Sequence, residues 1–142
     1  VSASPDFEVA PSVWRRSQLQ LTLPPEWKVY FTLWLQVIAA RADQEPVHEH
    51  SDLLRRLGKS SNWWGKLASF GAGDLDYEAL MTVASSLGEE TEALYYEATR
   101  LYIVGERDAA ETQFRRVLDT NMVSFYEFEM ARKLLIEESR AP

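Results

Sequence analysis

The 142-residue chain contains no cysteine. This absence excludes disulfide bonds, thiolate metal sites and cysteine nucleophiles. Long apolar runs are missing too, since the longest uncharged, apolar-rich run covers only residues 29–40. A membrane span needs about 20 such residues. The sequence therefore predicts that the chain has no membrane-spanning helix.

The N-terminus shows neither an initiator methionine nor the charged and apolar regions of a signal peptide. Because the chain starts at Val1, we expect a processed or trimmed product from which any targeting segment has been removed. Hydrophobic residues make up 46% of the chain and charged residues 26%, a composition that predicts a folded domain with its own apolar core.

Positive charge is scarce in the C-terminal half of the chain. Residues 1–70 hold 8 basic and 7 acidic side chains, whereas residues 71–142 hold 7 basic and 15 acidic ones. Binding to a phosphate backbone requires clustered cations. The net charge of −7 and its distribution therefore argue against nucleic acid as a partner.

The prolines and glycines divide the chain into segments. Four of the six prolines fall within residues 1–25, which we interpret as an irregular N-terminal segment. Residues 26–142 are predicted to form one helical domain, because apolar residues recur at three- and four-residue steps between Gly, Pro and capping residues. The expected helices cover about 26–42, 47–57, 63–70, 75–87, 89–104, 108–119 and 124–138.

The predicted fold class is all-α, with about seven helices in antiparallel helix-turn-helix hairpins joined by short loops. Gly88 is expected to end the fourth helix. Ser124 and Glu127 have the spacing of a capping box at the start of the seventh. The apolar side of the seventh helix is expected to cover the hairpin before it.

Residues 92–118, EALYYEATRLYIVGERDAAETQFRRVL, are the most informative stretch. This stretch resembles a tetratricopeptide repeat, a helix-turn-helix unit of about 34 residues. The resemblance rests on small residues, a turn glycine and large apolar residues at the family's positions: Ala98, Leu101, Tyr102, Gly105, Ala110, Phe114 and Leu118. Glu97 departs from the pattern, since an apolar residue is usual there.

The order of segments over residues 27–136 is similar to the C-terminal part of the NlpI-like tetratricopeptide-repeat proteins, which are bacterial lipoproteins. An aromatic helix is followed by WWGKLASFGAGDL, an alanine-containing helix, the repeat and a final helix with FYEFEMARKLL. The resemblance implies a location in the bacterial envelope or periplasm; the cytoplasm is the alternative.

The resemblance also implies a non-catalytic scaffold or adaptor that binds a peptide or protein on a concave helical face. Carried over to this chain, the partner-binding residues are Glu92, Tyr95, Thr99, Tyr102 and Ile103. Tyrosine suits this role because its ring is large and rigid and its tip is polar. The alternative is that Tyr95 or Tyr102 belongs to the core.

Two other functions stay open at this point. The five tryptophans all lie in residues 1–64, so this end could instead mediate assembly, as a homo-oligomer or within a larger protein. A cell-wall-associated hydrolase is the less favoured alternative, because carboxylates are plentiful.

No catalytic, cofactor-binding or metal-binding residues are predicted. His48 and His50 are two residues apart and face differently on a helix, so they do not match the zinc-protease motif and are expected to face solvent. Gly58-Lys59-Ser60 lacks the upstream glycine and the strand of a phosphate-binding loop.

Overall fold

The computed structural model describes residues 23–140, and within this range it contains seven α-helices and no strand. The all-α prediction is therefore confirmed. The helices are α1 (Pro25–Arg41), α2 (His48–Leu57), α3 (Trp63–Gly71), α4 (Tyr77–Val83), α5 (Leu87–Ile103), α6 (Arg107–Asp119) and α7 (Tyr126–Arg140). The expected irregular segment 1–25 lies outside the described residues except for its last three.

The contacts divide the chain into two compact units, one that ends at Asp76 and one that begins at Tyr77. In the first unit, α1, α2 and α3 all pack against one another. In the second, α5 packs against α4, α6 and α7, and α7 also packs against α6. The predicted helical domain over 26–142 thus comprises two units.

A glycine allows the three helices of the first unit to meet closely. A Cβ atom on Gly71, the last residue of α3, would lie 2.6 Å from Leu33 Cδ2 and 3.0 Å from Leu54 Cδ1. Leu33 belongs to α1 and Leu54 to α2, and both are buried. A larger residue at position 71 would have to displace these leucines, which are part of a close-packed interior.

The second unit is built on the hairpin of α5 and α6. The three residues between these helices include Gly105, whose φ of 88° lies in the left-handed region that favours glycine. A turn this short reverses the chain, so α6 runs back along α5. Small buried residues on each helix, Ala98 and Ala110, permit this close approach.

The fourth helix is shorter than predicted, because it ends at Val83 and the next helix is already capped by Ser86, two residues before Gly88. Ser86 Oγ accepts a hydrogen bond of 3.1 Å from the backbone N–H of Glu89 and caps α5. Gly88 therefore lies in the first turn of α5. A Cβ atom there would approach Phe125 Cζ to 2.9 Å, so this glycine admits the Phe125 ring.

The last helix begins at Tyr126, two residues later than predicted. The expected capping role of Glu127 is not observed. Its side chain turns into the interior and accepts a hydrogen bond of 2.9 Å from the hydroxyl of Tyr96 on α5. A buried phenol in the neighbouring helix thus takes the place of the backbone donor that a capping box would supply.

Candidate partner-binding surface

The face of α5 that was predicted to bind a partner lies mostly in the interior. Tyr95 is only 1% exposed, and Thr99 and Tyr102 are also buried. Glu92 is half-buried, and Ile103 is the one predicted site residue that is clearly exposed, at 39%. The five side chains do not form the open contact face that was expected.

Aromatic packing explains the burial of Tyr95. Its ring stands nearly perpendicular to that of Tyr96, with 4.9 Å between the ring centroids, and lies 6.0 Å from the ring of Phe114 on α6. Thr99 Oγ1 donates a hydrogen bond of 2.9 Å to the backbone carbonyl oxygen of Tyr96. These contacts favour a core role for Tyr95 and Thr99, the alternative that the sequence left open for Tyr95.

Tyr102 lies under a cation at the turn end of the hairpin. The guanidinium carbon of Arg107, the first residue of α6, is 3.8 Å from the centroid of the Tyr102 ring. This is the geometry of a cation–π contact. The turn at Gly105 brings the two side chains together across the end of the hairpin, so one face of the Tyr102 ring is covered by Arg107.

The exposed apolar residues of this region lie next to that pair. We call Ile103, Val104, Glu106 and Arg107 the hairpin tip. Val104 is 60% exposed, and the charged side chains of the tip are exposed too. Val104 and Arg107 are not among the site residues predicted from the sequence. Val104 could have been found as an apolar residue directly before a turn glycine, whereas no sequence signal marks Arg107.

Glu97, the residue that does not fit the repeat pattern predicted from the sequence, is accommodated by an ion pair. The residue is buried, and its two carboxylate oxygens accept hydrogen bonds from Nε and Nη2 of Arg100, one turn further along α5. The side chain of Arg100 is half exposed, with 47% of its surface accessible. A charged residue is therefore tolerated at an apolar position because its partner neutralises it and reaches solvent.

Glu127 is the second buried carboxyl group of this unit. It is 5% exposed, and burial raises its pKa above the ordinary glutamate value, while hydrogen bonds from its own backbone N–H and from Tyr96 oppose the shift. Glu97 accepts its hydrogen bonds from a charged guanidinium on its own helix, whereas Glu127 accepts one from a neutral phenol on a neighbouring helix.

The two histidines differ in exposure, and the prediction that both face solvent is wrong for His50. His48 is exposed, and its Nε2 lies 3.7 Å from Asp52 Oδ2. His50 is buried, and burial lowers the pKa of its imidazole, against a smaller opposing effect of the Glu49 charge. Over residues 23–140, no group of three or more His, Asp or Glu side chains is placed to hold a metal ion.

No family model, curated protein or solved structure matched this chain. Within the described range, every helix is too short or too polar to cross a bilayer.

The buried imidazole predicts that the first unit becomes less stable in acid. Because folding lowers the pKa of His50, the unfolded chain takes up a proton near pH 6.5 before the folded chain does. The stabilisation is complete above this pH and is lost as the pH falls through the lower, folded-state pKa. Urea unfolding at a series of pH values, followed by tryptophan fluorescence, measures the loss.

Two matched variants isolate the contribution of His50. His50→Gln should remove most of the change in the free energy of unfolding below pH 6.5. His48→Gln alters an exposed imidazole two residues away and should leave the change intact. An unaltered pH dependence in His50→Gln would show that the buried imidazole is not its source.

Proposed function

We propose that this protein is a non-catalytic protein-binding module, and that its second unit binds a peptide or protein partner through the hairpin tip. The observation that carries the proposal is the pair of adjacent, exposed apolar side chains, Ile103 and Val104, at the end of a well-packed helical hairpin. A rigid base lowers the ordering cost of binding, because the backbone beneath the contact residues is already fixed.

The resemblance to tetratricopeptide repeats supports the same class of function. It rests on the sequence of residues 92–118, in which Ala98 and Ala110 stand at two of the family's small-residue positions; both are buried. In the proposal, the contact surface moves from the interior face of α5 to the end of the hairpin. Ile103 is common to both surfaces, and Glu92, half-buried near the start of α5, stays a predicted contact.

Charge favours a partner with basic groups. Glu106 and Asp108 are exposed on either side of Arg107, and residues 71–142 carry twice as many acidic as basic side chains. Complementary charge raises the association rate and discriminates between partners more than it adds affinity. A segment with apolar side chains and flanking Lys or Arg fits the tip best. The proposal places this activity in the bacterial envelope, with the cytoplasm as the alternative.

A second candidate function is self-association through the first unit. A stripe of three aromatic rings runs along α1 and consists of Trp27, Tyr30 and Trp34, followed one turn later by the aliphatic Ile38. Trp27 is 53% exposed, and successive ring centroids along the stripe are 6.3 and 6.2 Å apart. A row of partly exposed aromatic rings is typical of surfaces that bind another protein.

The binding proposal predicts that polar residues at positions 103 and 104 weaken capture of a partner. The immobilised chain is exposed to envelope and cytosolic extracts of the source organism, and captured proteins are quantified by mass spectrometry. Ile103→Ser with Val104→Ser should lower capture at least about tenfold, because apolar anchors contribute on the order of 1–2 kcal/mol each. The extract that yields the partner also reports the compartment.

The second unit supplies a matched control. Ile136 and Val123 are 36% and 68% exposed, close to the exposures of Ile103 and Val104. The double variant Ile136→Ser with Val123→Ser should retain capture. Equal losses in both double variants would contradict a specific role for the tip, and so would capture that survives both.

The self-association candidate predicts a concentration-dependent mass in sedimentation equilibrium. Trp27→Ser should shift the protein towards monomer, because it removes the most exposed ring of the stripe. Val83→Ser, at an exposed apolar residue of the second unit, is the control and should leave the association unchanged. A strict monomer across a wide concentration range would eliminate this candidate.

A further inference from the structure

The last helix is held to the hairpin by a buried carboxyl group. Glu127 lies in the first turn of α7 and is 5% exposed. Its Oε2 accepts a hydrogen bond of 2.9 Å from the hydroxyl of Tyr96, which is itself buried on α5. The bond therefore joins α5 to α7 through two residues that are 31 positions apart in the sequence.

The surroundings of Glu127 offer little compensation for its negative charge. None of the ion pairs found among the described residues contains Glu127. Arg100 on α5 pairs with Glu97, and Arg132 on α7 pairs with Glu129. A buried carboxylate without a cationic partner is costly, whereas its protonated form is not.

The helices that pack against α7 present few titratable groups to Glu127. From α5 the group in contact is the hydroxyl of Tyr96, which donates a hydrogen bond to Glu127. On α6, Arg115 bonds to Glu111 and Arg116 bonds to Gln113. The remaining charged side chains of α6 are exposed, and they are Arg107, Asp108 and Asp119.

The position of α7 allows it to open on its own. Within the described chain it follows α6 through residues 120–125, and it packs only against α5 and α6. A helix with few buried apolar contacts opens locally more readily than one with many, since less buried surface must be exposed. Its buried apolar residues are few, and the described ones are Ala131 and Leu134.

We propose that Glu127 and Tyr96 form a proton-dependent latch, in which a neutral Glu127 holds α7 on the hairpin and an ionised Glu127 weakens its attachment. This inference does not depend on the proposed partner-binding function. It predicts that the second unit tightens in mild acid, opposite to the effect of His50 on the first unit.

The sign follows from the direction of the pKa change. Burial raises the pKa of Glu127 above the ordinary value of 4.5, so folding favours the protonated form. The stabilisation is complete below about pH 4.5 and is lost as the pH rises through the folded-state pKa.

Hydrogen exchange of the full chain, read by mass spectrometry between pH 4.5 and 7.5, tests the latch. After correction for the intrinsic exchange rate, the opening equilibrium constant of α7 peptides should fall several-fold on acidification. Peptides from the middle of α5 report global unfolding of the unit and provide the baseline. Carboxyl carbon NMR of Glu127 follows its titration directly.

Three variants distinguish a latch from general acid stabilisation. Glu127→Gln keeps an acceptor oxygen but cannot ionise, so opening of α7 should become independent of pH. Glu129→Gln changes an exposed carboxylate on the same helix and should retain the dependence. Tyr96→Phe should raise the pKa of Glu127 further and increase opening more at pH 7 than at pH 4.5. If Glu127→Gln does not fold, the Tyr96→Phe comparison decides alone.

Two results would overturn the proposal. One is opening of α7 that does not change with pH in the unaltered chain. The other is a pH dependence that persists in Glu127→Gln or, where that variant does not fold, an equal effect of Tyr96→Phe at both pH values.

Discussion

The packing of two consecutive tyrosines on α5 is the interaction on which the second unit depends. The perpendicular contact of Tyr95 and Tyr96 directs the first ring towards Phe114 on α6 and the second hydroxyl towards Glu127 on α7. Adjacent residues on a helix point in directions about 100° apart, so the pair can reach both neighbouring helices at once. Edge-to-face ring contacts of this kind stabilise a core beyond the area that they bury.

This packing determines which side chains of the second unit remain exposed to solvent. Every side chain from Ala93 to Thr99 is buried, so the middle of α5 serves the core. The clearly exposed apolar side chains of α5 lie at its two ends, at Leu87 and Ile103. The proposed binding function is therefore assigned to the turn at Gly105, because loops can present side chains that a buried helix cannot. The same burial places Glu127 where its charge state affects the attachment of α7.

The helices could be predicted well from the sequence because their boundaries are marked locally. Pro25, Gly58 and Gly105 stand at or next to the ends that were expected. Pro25 and Gly105 have a backbone reason to do so, whereas Gly58 has an ordinary helical φ of −67° and leaves space for Ser69. The start of α5 was missed even though Ser86 and Glu89 have the spacing of a capping box. A glycine at position 88 is typical of a helix end, but here it lies in the first turn of α5 and admits the Phe125 ring.

The site was harder to predict because burial is a property of the assembled helices. A helix buried on several sides does not show a single apolar stripe, and Thr91, Glu97 and Thr99 add polar residues to the interior of α5. The burial of Glu97 is hard to predict for the same reason. In the sequence, Arg100 is simply a charged residue three positions later and does not indicate that its partner is buried. His50 lies in the polar sequence His-Glu-His, which gives no sign that one of the two imidazoles is buried.

The central claim is that Tyr95 is a core residue and not a contact for a partner. Chemical unfolding of Tyr95→Ala, compared with Tyr95→Phe, tests it most directly. The account predicts that Tyr95→Ala lowers the free energy of unfolding of the second unit by about 3–5 kcal/mol, as for other large aromatic residues in cores, and that Tyr95→Phe loses far less. A Tyr95→Ala variant as stable as the unaltered chain would contradict the claim.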